Sequence, residues 1–261
     1  MSFTGKSPAD TYKDILNIDN SNSGVDSTAR IVESGNGSET AISLSDRSLK
    51  VKSNTNNTTA LDVSNASNAS KFSVDTTNNQ VKALGHHVNT QYAYFGIGAD
   101  MQQTLLADTH YGIPFFGIAQ KVEGWIADFG TGTDPDTSFT TANTLSQKGS
   151  QLAGLLWYVP DNISIDAVYS IEGADQATGD TTRMHLYSYT FNSGSTSALA
   201  DGTLLAHNSD VTNAGSEQAY LSTWTVDSAN VAGGKVICAF FRSDSVNSDY
   251  TTNITVKYHL T

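Results

Sequence analysis

The pattern of apolar and polar positions divides the chain into two regions of different β character. Between residues 40 and 84, apolar residues recur in pairs two positions apart, separated by polar runs such as "KSNTNNTTA" and "SNASNASK". Residues two apart lie on one face of a strand, so each pair predicts a short strand with one apolar face. The Asn- and Asp-rich runs are typical of turns. The residues predicted to form the core of this region are Ile42, Leu44, Leu49, Val51, Leu61, Val63, Phe72, Val74 and Val81.

Longer strands are predicted from residue 86 onwards, because β-branched and aromatic residues alternate with polar ones between turn-forming segments. No convincing helical periodicity interrupts them, and this arrangement predicts an all-β fold, a sandwich of jelly-roll type. Trp125, Trp157 and Trp224 lie inside predicted strands, which favours packing roles; a platform for a sugar is the alternative. The predicted strands are 90–97, 113–119, 121–128, 152–160, 163–171, 183–191, 219–226, 235–241 and 253–260.

The polar region 40–84 contains too few apolar side chains to fold as a monomer, because ordering its backbone costs more entropy than their burial returns. It is therefore either a flexible stalk or a segment that wraps with copies of itself, so that the apolar pairs of several chains meet on one axis. Its recurring β-branched apolar positions and its lack of proline are not typical of disordered segments. We therefore predict an intertwined homotrimeric β stalk.

The N-terminal stretch "KSPADTYKDILNID" predicts a short helix that begins with an N-cap residue followed by proline. Apolar residues three and four positions apart give it one apolar stripe, and a helix this short must dock on something to persist. It either caps its own fibre or inserts into a larger assembly. The residues predicted to anchor the chain are Ser7, Pro8, Tyr12, Ile15, Leu16 and Ile18.

Charge and aromatic content change near Gly85. The whole chain has a net charge of −12, and residues 86–261 hold 6 basic and 17 acidic residues as well as most of the aromatic ones. We therefore divide the chain into an anchoring segment (1–39), a stalk (40–85) and a head (86–261). The acidity argues against nucleic acid or an anionic membrane surface as a partner, because like charges repel.

The sequence predicts neither a disulfide nor a membrane span. Cys238 is the one cysteine and lies in the apolar run "KVICAFF", which favours a buried, inert thiol. No apolar run approaches the roughly 20 residues needed to cross a bilayer, and the start lacks the features of a secretory signal. We expect synthesis in a cytoplasm, and assembly into a virus particle as one route out of the cell.

Motifs of catalysis and cofactor binding are lacking: the sequence has no nucleophile elbow, P-loop, dinucleotide fingerprint or zinc-protease helix. His86 and His87 could hold a metal ion near a trimer axis, but an exposed linker is the simpler interpretation. The Asp-rich segments 133–138, 173–180 and 242–249 do not match a calcium-loop template and are interpreted as solvated turns. We therefore predict no enzyme, no cofactor and no metal. Paired carboxylates for glycoside cleavage are the enzymatic alternative.

Three segments carry a family resemblance. "LDVSNASNASKFSVDTTNNQVKALG" resembles the strand–turn repeat of phage fibres. "KSPADTYKDILNIDNSNSGVDST" and "AGGKVICAFFRSDSVNSDYTTNITVKYHL" are similar to the leading and closing segments of fibre-like virion proteins of marine tailed bacteriophages. The resemblance implies a homotrimeric structural protein that is attached by its N-terminus to capsid or tail proteins and displays a β-sandwich head. The length of the chain is closer to a short head fibre or decoration protein than to a long tail fibre.

Two functions from different classes follow. The first is a non-enzymatic virion protein whose head faces outward; the second is a receptor- or glycan-binding module of a tail fibre or adhesin, which would contact a host surface. The surface of the sandwich discriminates between them. A groove with exposed Trp or Tyr beside Asp or Asn favours binding, whereas a smooth polar exterior favours decoration.

Overall fold

The computed structural model describes residues 13, 15–21, 23–97, 105–115, 129–131, 152–175, 177–195, 198–247 and 249–261. In this part of the chain the regular elements are β-strands, which confirms the all-β prediction. The chain divides into two compact units, Met1–Val88 and Asn89–Thr261, which we call the N-terminal unit and the C-terminal unit. The predicted strands 121–128 and the end of 113–119 lie outside the described residues.

The N-terminal unit contains two antiparallel sheets of four strands, in the orders β1-β2-β3-β4 and β5-β6-β7-β8. We call them the first and second stalk sheets. Each apolar pair predicted from the sequence lies in a strand of its own. The strands are β1 (Leu16–Ile18), β2 (Arg30–Ser34), β3 (Glu39–Leu44), β4 (Leu49–Val51), β5 (Leu61–Ser64), β6 (Ser70–Asp75), β7 (Gln80–Ala83) and β8 (His86–His87).

The turns between these strands are stabilised by side chains bonded to the local backbone. The Asp75 carboxylate accepts hydrogen bonds from the backbone N–H groups of Thr77 and Asn78, both at 2.9 Å. The Asn65 side-chain oxygen likewise accepts from the N–H of Ala69 at 2.9 Å. These bonds replace the solvent partners of the turn backbone and bring consecutive strands together. Each described strand of this region pairs with a strand of the same chain, and the intertwining of several chains stays a prediction.

The N-terminal prediction requires a correction. Leu16 does not continue a helix: it begins strand β1, which pairs with β2 in the register Leu16↔Ser34. Ser7, Pro8 and Tyr12 lie outside the described residues. The first stalk sheet therefore combines residues from both sides of the predicted boundary at 39/40, because a hairpin connects β2 to β3.

The N-terminal unit extends slightly beyond the compositional change at Gly85. Strand β8 pairs back onto β7 through a two-residue turn, in the register Ala83↔His86. Both turn residues, Leu84 and Gly85, have positive φ, as short hairpin turns of this kind require. The unit therefore ends at Val88.

The C-terminal unit is a sandwich of two antiparallel sheets. The seven-stranded inner sheet has the order β10-β19-β13-β14-β17, with β11 beside β19 and β15 beside β13. The five-stranded outer sheet has the order β16-β12-β20-β9, with β18 beside β12. The strands are β9 (Thr90–Ile97), β10 (His110–Ile113), β11 (Leu156–Tyr158), β12 (Ile163–Asp175), β13 (Thr181–Phe191), β14 (Leu199–His207), β15 (Val211–Thr212), β16 (Glu217–Thr223), β17 (Thr225–Val226), β18 (Asn230–Val231), β19 (Lys235–Ser243) and β20 (Tyr250–Leu260).

The inner sheet is buried on both faces. One face packs against the outer sheet through residues such as Ile237 and Ile254, and the other contacts Leu152 and Leu155 through Phe240 and its neighbours. A strand covered on both sides has no polar face, which explains the continuous apolar run "KVICAFF" of β19.

Two tryptophans and the cysteine have the packing roles expected from the sequence. Trp157 and Trp224 are buried, and the Trp224 Nε1–H donates a hydrogen bond to the Ser170 hydroxyl at 2.8 Å. Cys238 is fully buried, and burial raises the pKa of its thiol. Trp125 lies outside the described residues. Trp224 also separates β16 in the outer sheet from β17 in the inner sheet, where the sequence predicted one continuous strand.

Candidate interaction surfaces

The second stalk sheet has an apolar patch on one face, bordered by His86, the cross-strand partner of Ala83. Strands β5, β6 and β7 are in a register that places their apolar residues opposite one another, and cross-strand partners project from the same side of a sheet. This face is only partly covered, since Val63 is 53% exposed. The residues that form it are Leu61, Val63, Phe72, Val74, Val81 and Ala83.

The first stalk sheet repeats this arrangement on a smaller scale. The pairs Ile42↔Val51 and Leu44↔Leu49 align across β3 and β4, so all four side chains project from one face. Ile42, Leu49 and Val51 are exposed. Near the second stalk sheet, Val51 also lines a groove of about 340 Å³ together with Leu61 and Val74.

The predicted anchoring residues that the structure describes lie at the edge of the first stalk sheet. Ile15 and Leu16 are exposed, Leu16 to 65%, and Ile18 is half-buried at the end of β1. Strand β1 is an edge strand, so these apolar side chains are accessible to another molecule.

The outer sheet of the sandwich carries aromatic and aliphatic side chains on the face that points away from the core. We call this surface the outer face. In one row across the sheet, Thr255 lies between Tyr94 and Tyr169; in the next, Ile171 lies between Leu221 and Asn253. Tyr94, Tyr169, Ile171 and Leu221 are all exposed, Leu221 to 76%. Tyr92 extends the aromatic row beside Lys257.

A shallow cleft of about 440 Å³ follows the outer face at one end of the sheet. Its floor includes Gly173, which lacks a side chain two residues along β12 from Ile171. A Cβ atom at Gly173 would approach the Thr251 hydroxyl to 2.7 Å, so glycine keeps the two strands close and the floor low. Three acidic residues, Asp175, Glu217 and Asp249, line the cleft.

Two groups with raised pKa values, Glu172 and Tyr250, lie between the sheets. Glu172 on β12 is 1% exposed, and its Oε1 accepts a hydrogen bond from the Thr182 hydroxyl at 2.6 Å. Its Oε2 has no hydrogen-bond partner among the described residues. Burial raises the pKa of Glu172 to about 7, an effect that the Thr182 hydrogen bond only partly offsets. The Tyr250 hydroxyl nearby donates to the Asp180 carboxylate at 2.8 Å.

His185 is shifted in the opposite direction. Burial, followed by the neighbouring His110 at a ring distance of 5.3 Å, lowers the pKa of His185 to about 2. The imidazole is therefore neutral over the physiological range. Glu172 and His185 are both buried inside the C-terminal unit. Their shifted pKa values therefore affect the stability of the fold and its dependence on pH.

Sequence reasoning did not single out the outer face. The signal was present in "QYAYFG" and "AVYSIEG", where large apolar residues occupy both parities of a strand. A strand with one buried face needs apolar residues at only one parity, so Tyr94, Tyr169 and Ile171 are in excess of what the core requires. Asn253 and Thr255 could be assigned to the same surface only once the register of β20 was known.

Comparisons with known proteins do not identify a family. No protein-family model matches the chain, and no curated protein sequence matches it. Among solved structures, the crystal structure of an aminopeptidase from a marine sediment archaeon, Thaumarchaeota archaeon, is similar at 9% identity and a TM-score of 0.30. The similarity covers 72% of this chain but only 40% of the aminopeptidase chain. The described residues form no helix that is long and apolar enough to span a membrane.

Proposed function

We propose that this chain is a non-enzymatic structural protein of a phage particle, a homotrimer whose N-terminal unit forms a short fibre and whose jelly-roll-like sandwich is displayed as a head. The observation that carries the proposal is the uncovered apolar face of the second stalk sheet. Contiguous apolar surface of this kind marks sites of association, because it is unfavourable in water.

Copies of the same chain are the simplest cover for this face. The apolar pairs recur in a region that is otherwise rich in Ser, Thr and Asn, and each pair lies on one side of its strand. Three copies arranged about an axis would bury Val63 and Phe72 of each chain at once. The strands pair within the chain, so the contact in this proposal is face-to-face packing of the stalk sheets and needs no exchange of strands.

Membership of a virus particle rests on the resemblance of the three sequence segments quoted above to fibre-like virion proteins of marine tailed phages. In this proposal the protein is made in the host cytoplasm, and Ile15, Leu16 and Ile18 contact capsid or tail proteins. The exposure of Ile15 and Leu16 at an edge strand is compatible with such a contact. A contact with nucleic acid or insertion into a membrane forms no part of the proposal.

Light scattering on the purified full-length protein tests the trimer. The expected mass is three times 27.7 kDa. A mass of 27.7 kDa at micromolar concentration would contradict it. The virion assignment has a separate test: immunogold labelling with an antibody against the protein should decorate purified phage particles at fixed positions, and particles without label would contradict that assignment.

The outer face favours a second candidate function, a receptor- or glycan-binding module. Exposed tyrosines lie beside Asn253 and next to a cleft with Asp175 and Glu217. This is the combination that distinguishes a binding surface from a smooth polar exterior. The two functions are compatible, because three heads on one fibre would multiply a weak contact with a host surface.

A further inference from the structure

The spacing of the aromatic residues on the outer face suits an extended ligand. Tyr94 and Tyr169 belong to strands β9 and β12, which are separated by β20. Neighbouring strands are about 4.8 Å apart, so the two Cα atoms are separated by roughly 10 Å. Between them lies the small side chain of Thr255. The two rings therefore flank a shallow floor whose width is comparable with a short oligosaccharide.

The chemistry of the rings also suits a sugar. A tyrosine offers a flat apolar surface on which the C–H groups of a pyranose can stack, and a hydroxyl that both donates and accepts hydrogen bonds. With only two side-chain torsions it loses little entropy on binding. The rings of Tyr94 and Tyr169 are both exposed and so are accessible to a ligand.

The polar groups beside the rings are mainly hydrogen-bond acceptors. The Asn253 amide lies in the neighbouring row, and the carboxylates of Asp175, Glu217 and Asp249 line the cleft that continues the face. Sugar hydroxyls donate hydrogen bonds, so carboxylate and amide oxygens are complementary to them. Gly173 and Thr251 leave the cleft floor low enough for a ring substituent to enter.

The charge of the surface narrows the ligand class. Residues 86–261 carry a net charge of −11, and Lys257 is the one cationic residue among the described residues that share the outer face. Sulfated, phosphorylated or sialylated glycans would be repelled by this field. Uncharged sugars and amino sugars would not be repelled by this negative charge.

We propose that the outer face binds a neutral or amino-sugar oligosaccharide, stacked on Tyr94 and Tyr169 and reaching into the cleft at Gly173. This inference rests on the second candidate function and names its site and ligand class. It is independent of the trimer, because each head carries a complete outer face in the strands β9, β12, β16 and β20 of one chain.

A second copy of the chain is the competing occupant, and it would use different residues. Leu221 and Ile171 are adjacent across β16 and β12 and are the most apolar part of the face. Aliphatic side chains contribute strongly to protein interfaces and little to sugar stacking. A variant at Leu221, which lies on β16 and off the line from Tyr169 to Gly173, therefore separates the two occupants from variants at the tyrosines.

The experiment uses the full-length protein on an array of immobilised neutral, amino and anionic glycans, followed by titration of the strongest glycan. We expect signal on neutral or amino sugars and none on sulfated or sialylated ones. Tyr94→Ala and Tyr169→Ala should each weaken binding by at least about tenfold, a typical effect of removing an aromatic contact from a binding site. Tyr158→Ala is the matched control: Tyr158 is also exposed but lies on β11 of the inner sheet, and binding should be unchanged.

Three results of the binding assay would overturn the inference. These are an absence of signal on every neutral and amino sugar, a preference for anionic glycans, and binding that Tyr94→Ala and Tyr169→Ala leave intact. Circular dichroism of each variant establishes that the sandwich is folded. The variant Leu221→Ser, on the neighbouring strand β16, should keep both the oligomer mass and the glycan affinity within about twofold. A fall in its mass would assign the face to contacts between copies, which overturns the glycan site and leaves the stalk proposal standing.

Discussion

The two units use the same antiparallel β architecture but differ in how their apolar faces are covered. In the C-terminal unit, two sheets of one chain cover each other, and Phe240, Ile254 and Val256 have no exposed surface. In the N-terminal unit, two smaller sheets each present an apolar face that the chain leaves half uncovered. The comparison shows that strand formation and core formation are separable. Polar turns suffice to define strands, whereas burial of the resulting faces needs a second layer.

The largest effect is expected when a charge is placed on the partly covered apolar face of the second stalk sheet. Val63→Asp combined with Phe72→Ser places a carboxylate at the centre of the proposed trimer contact, where three like charges would meet. We expect the mass by light scattering to fall from three chains to one. Val246→Ser, an equally exposed position in the C-terminal unit, is the control and should leave the mass unchanged. A trimer that survives the double variant would show that this face is not the contact.

A core truncation in the C-terminal unit should lower the stability of the fold and leave the oligomer mass unchanged. Phe240 contacts Phe129 at a ring distance of 4.7 Å and packs against Tyr187 and Tyr189. Phe240→Ala should lower the free energy of unfolding of this unit by about 3–5 kcal/mol through lost burial and the cavity left behind. The oligomer mass should not change. Phe191→Ala, at an exposed position, should cost less than about 1 kcal/mol in denaturant unfolding. Equal effects of the two substitutions would contradict the assignment of Phe240 to a closed core.

The buried carboxyl of Glu172 should make the stability of the C-terminal unit depend on pH. Its pKa is raised from 4.5 to about 7 in the folded chain, so the unfolded chain releases this proton first as the pH rises. The protonated carboxyl makes its full contribution to the free energy of unfolding below pH 4.5. This contribution is lost as the pH rises towards 7 and stays lost at higher pH. Glu172→Gln keeps the acceptor for Thr182 and cannot ionise. We expect it to be more stable than the parent protein by about 3 kcal/mol at pH 8 and similar to it at pH 4.5.

Urea unfolding at the two pH values measures this difference, and Glu217→Gln on the exposed end of β16 is the matched control. Tyr250, Asp180 and Thr182 are the polar groups that face or neighbour the carboxyl, so the Tyr250–Asp180 hydrogen bond should be retained in the variant. A stability gain that is the same at both pH values would indicate a packing effect and contradict the ionisation account.

The smallest effect is expected at the turns of the N-terminal unit. Asp75→Ala removes the acceptor of two backbone N–H groups in the turn between β6 and β7, and the hairpin should open more often. Limited proteolysis should then cut near Thr77 faster than in the parent protein. Asp75→Asn retains an acceptor oxygen and should be cut at close to the parental rate. Equal resistance of both variants would mean that packing on the apolar face, and not the turn, holds the hairpin.

Much of the fold followed from local pattern. The period-two pairs from Ile42 to Val81 became strands because alternation and turn chemistry are properties of neighbouring residues. The long strands β12, β13, β19 and β20 were predicted within a few residues for the same reason. Leu16 was assigned to a helix from its spacing to Tyr12 and Ile15, and the prediction was wrong because pairing with β2 overrode that local preference.

The candidate surfaces were less predictable, because they depend on register between strands distant in sequence. The sequence shows that Tyr94 and Tyr169 are tyrosines in strands, but only the pairing of both strands with β20 places them in one row. Glu172 is similar: its period-two position marks an inward side chain, and nothing local indicates that Thr182 would be its partner. A bulge between Ile165 and Ala167 further shifts the phase that a strict alternation would assign.

The meander order of the stalk sheets affects how the proposed trimer would assemble. Each stalk strand pairs with the strand next to it in sequence, so the contacts are local and hairpins of this kind form in microseconds. Chains can therefore complete their backbone pairing during synthesis, before they meet. Formation of the proposed trimer would then be a late, second- or higher-order event whose rate depends on concentration and not on threading one chain through another. Subunits added in this way could also exchange, so a mixture of tagged and untagged protein should form mixed trimers without prior unfolding.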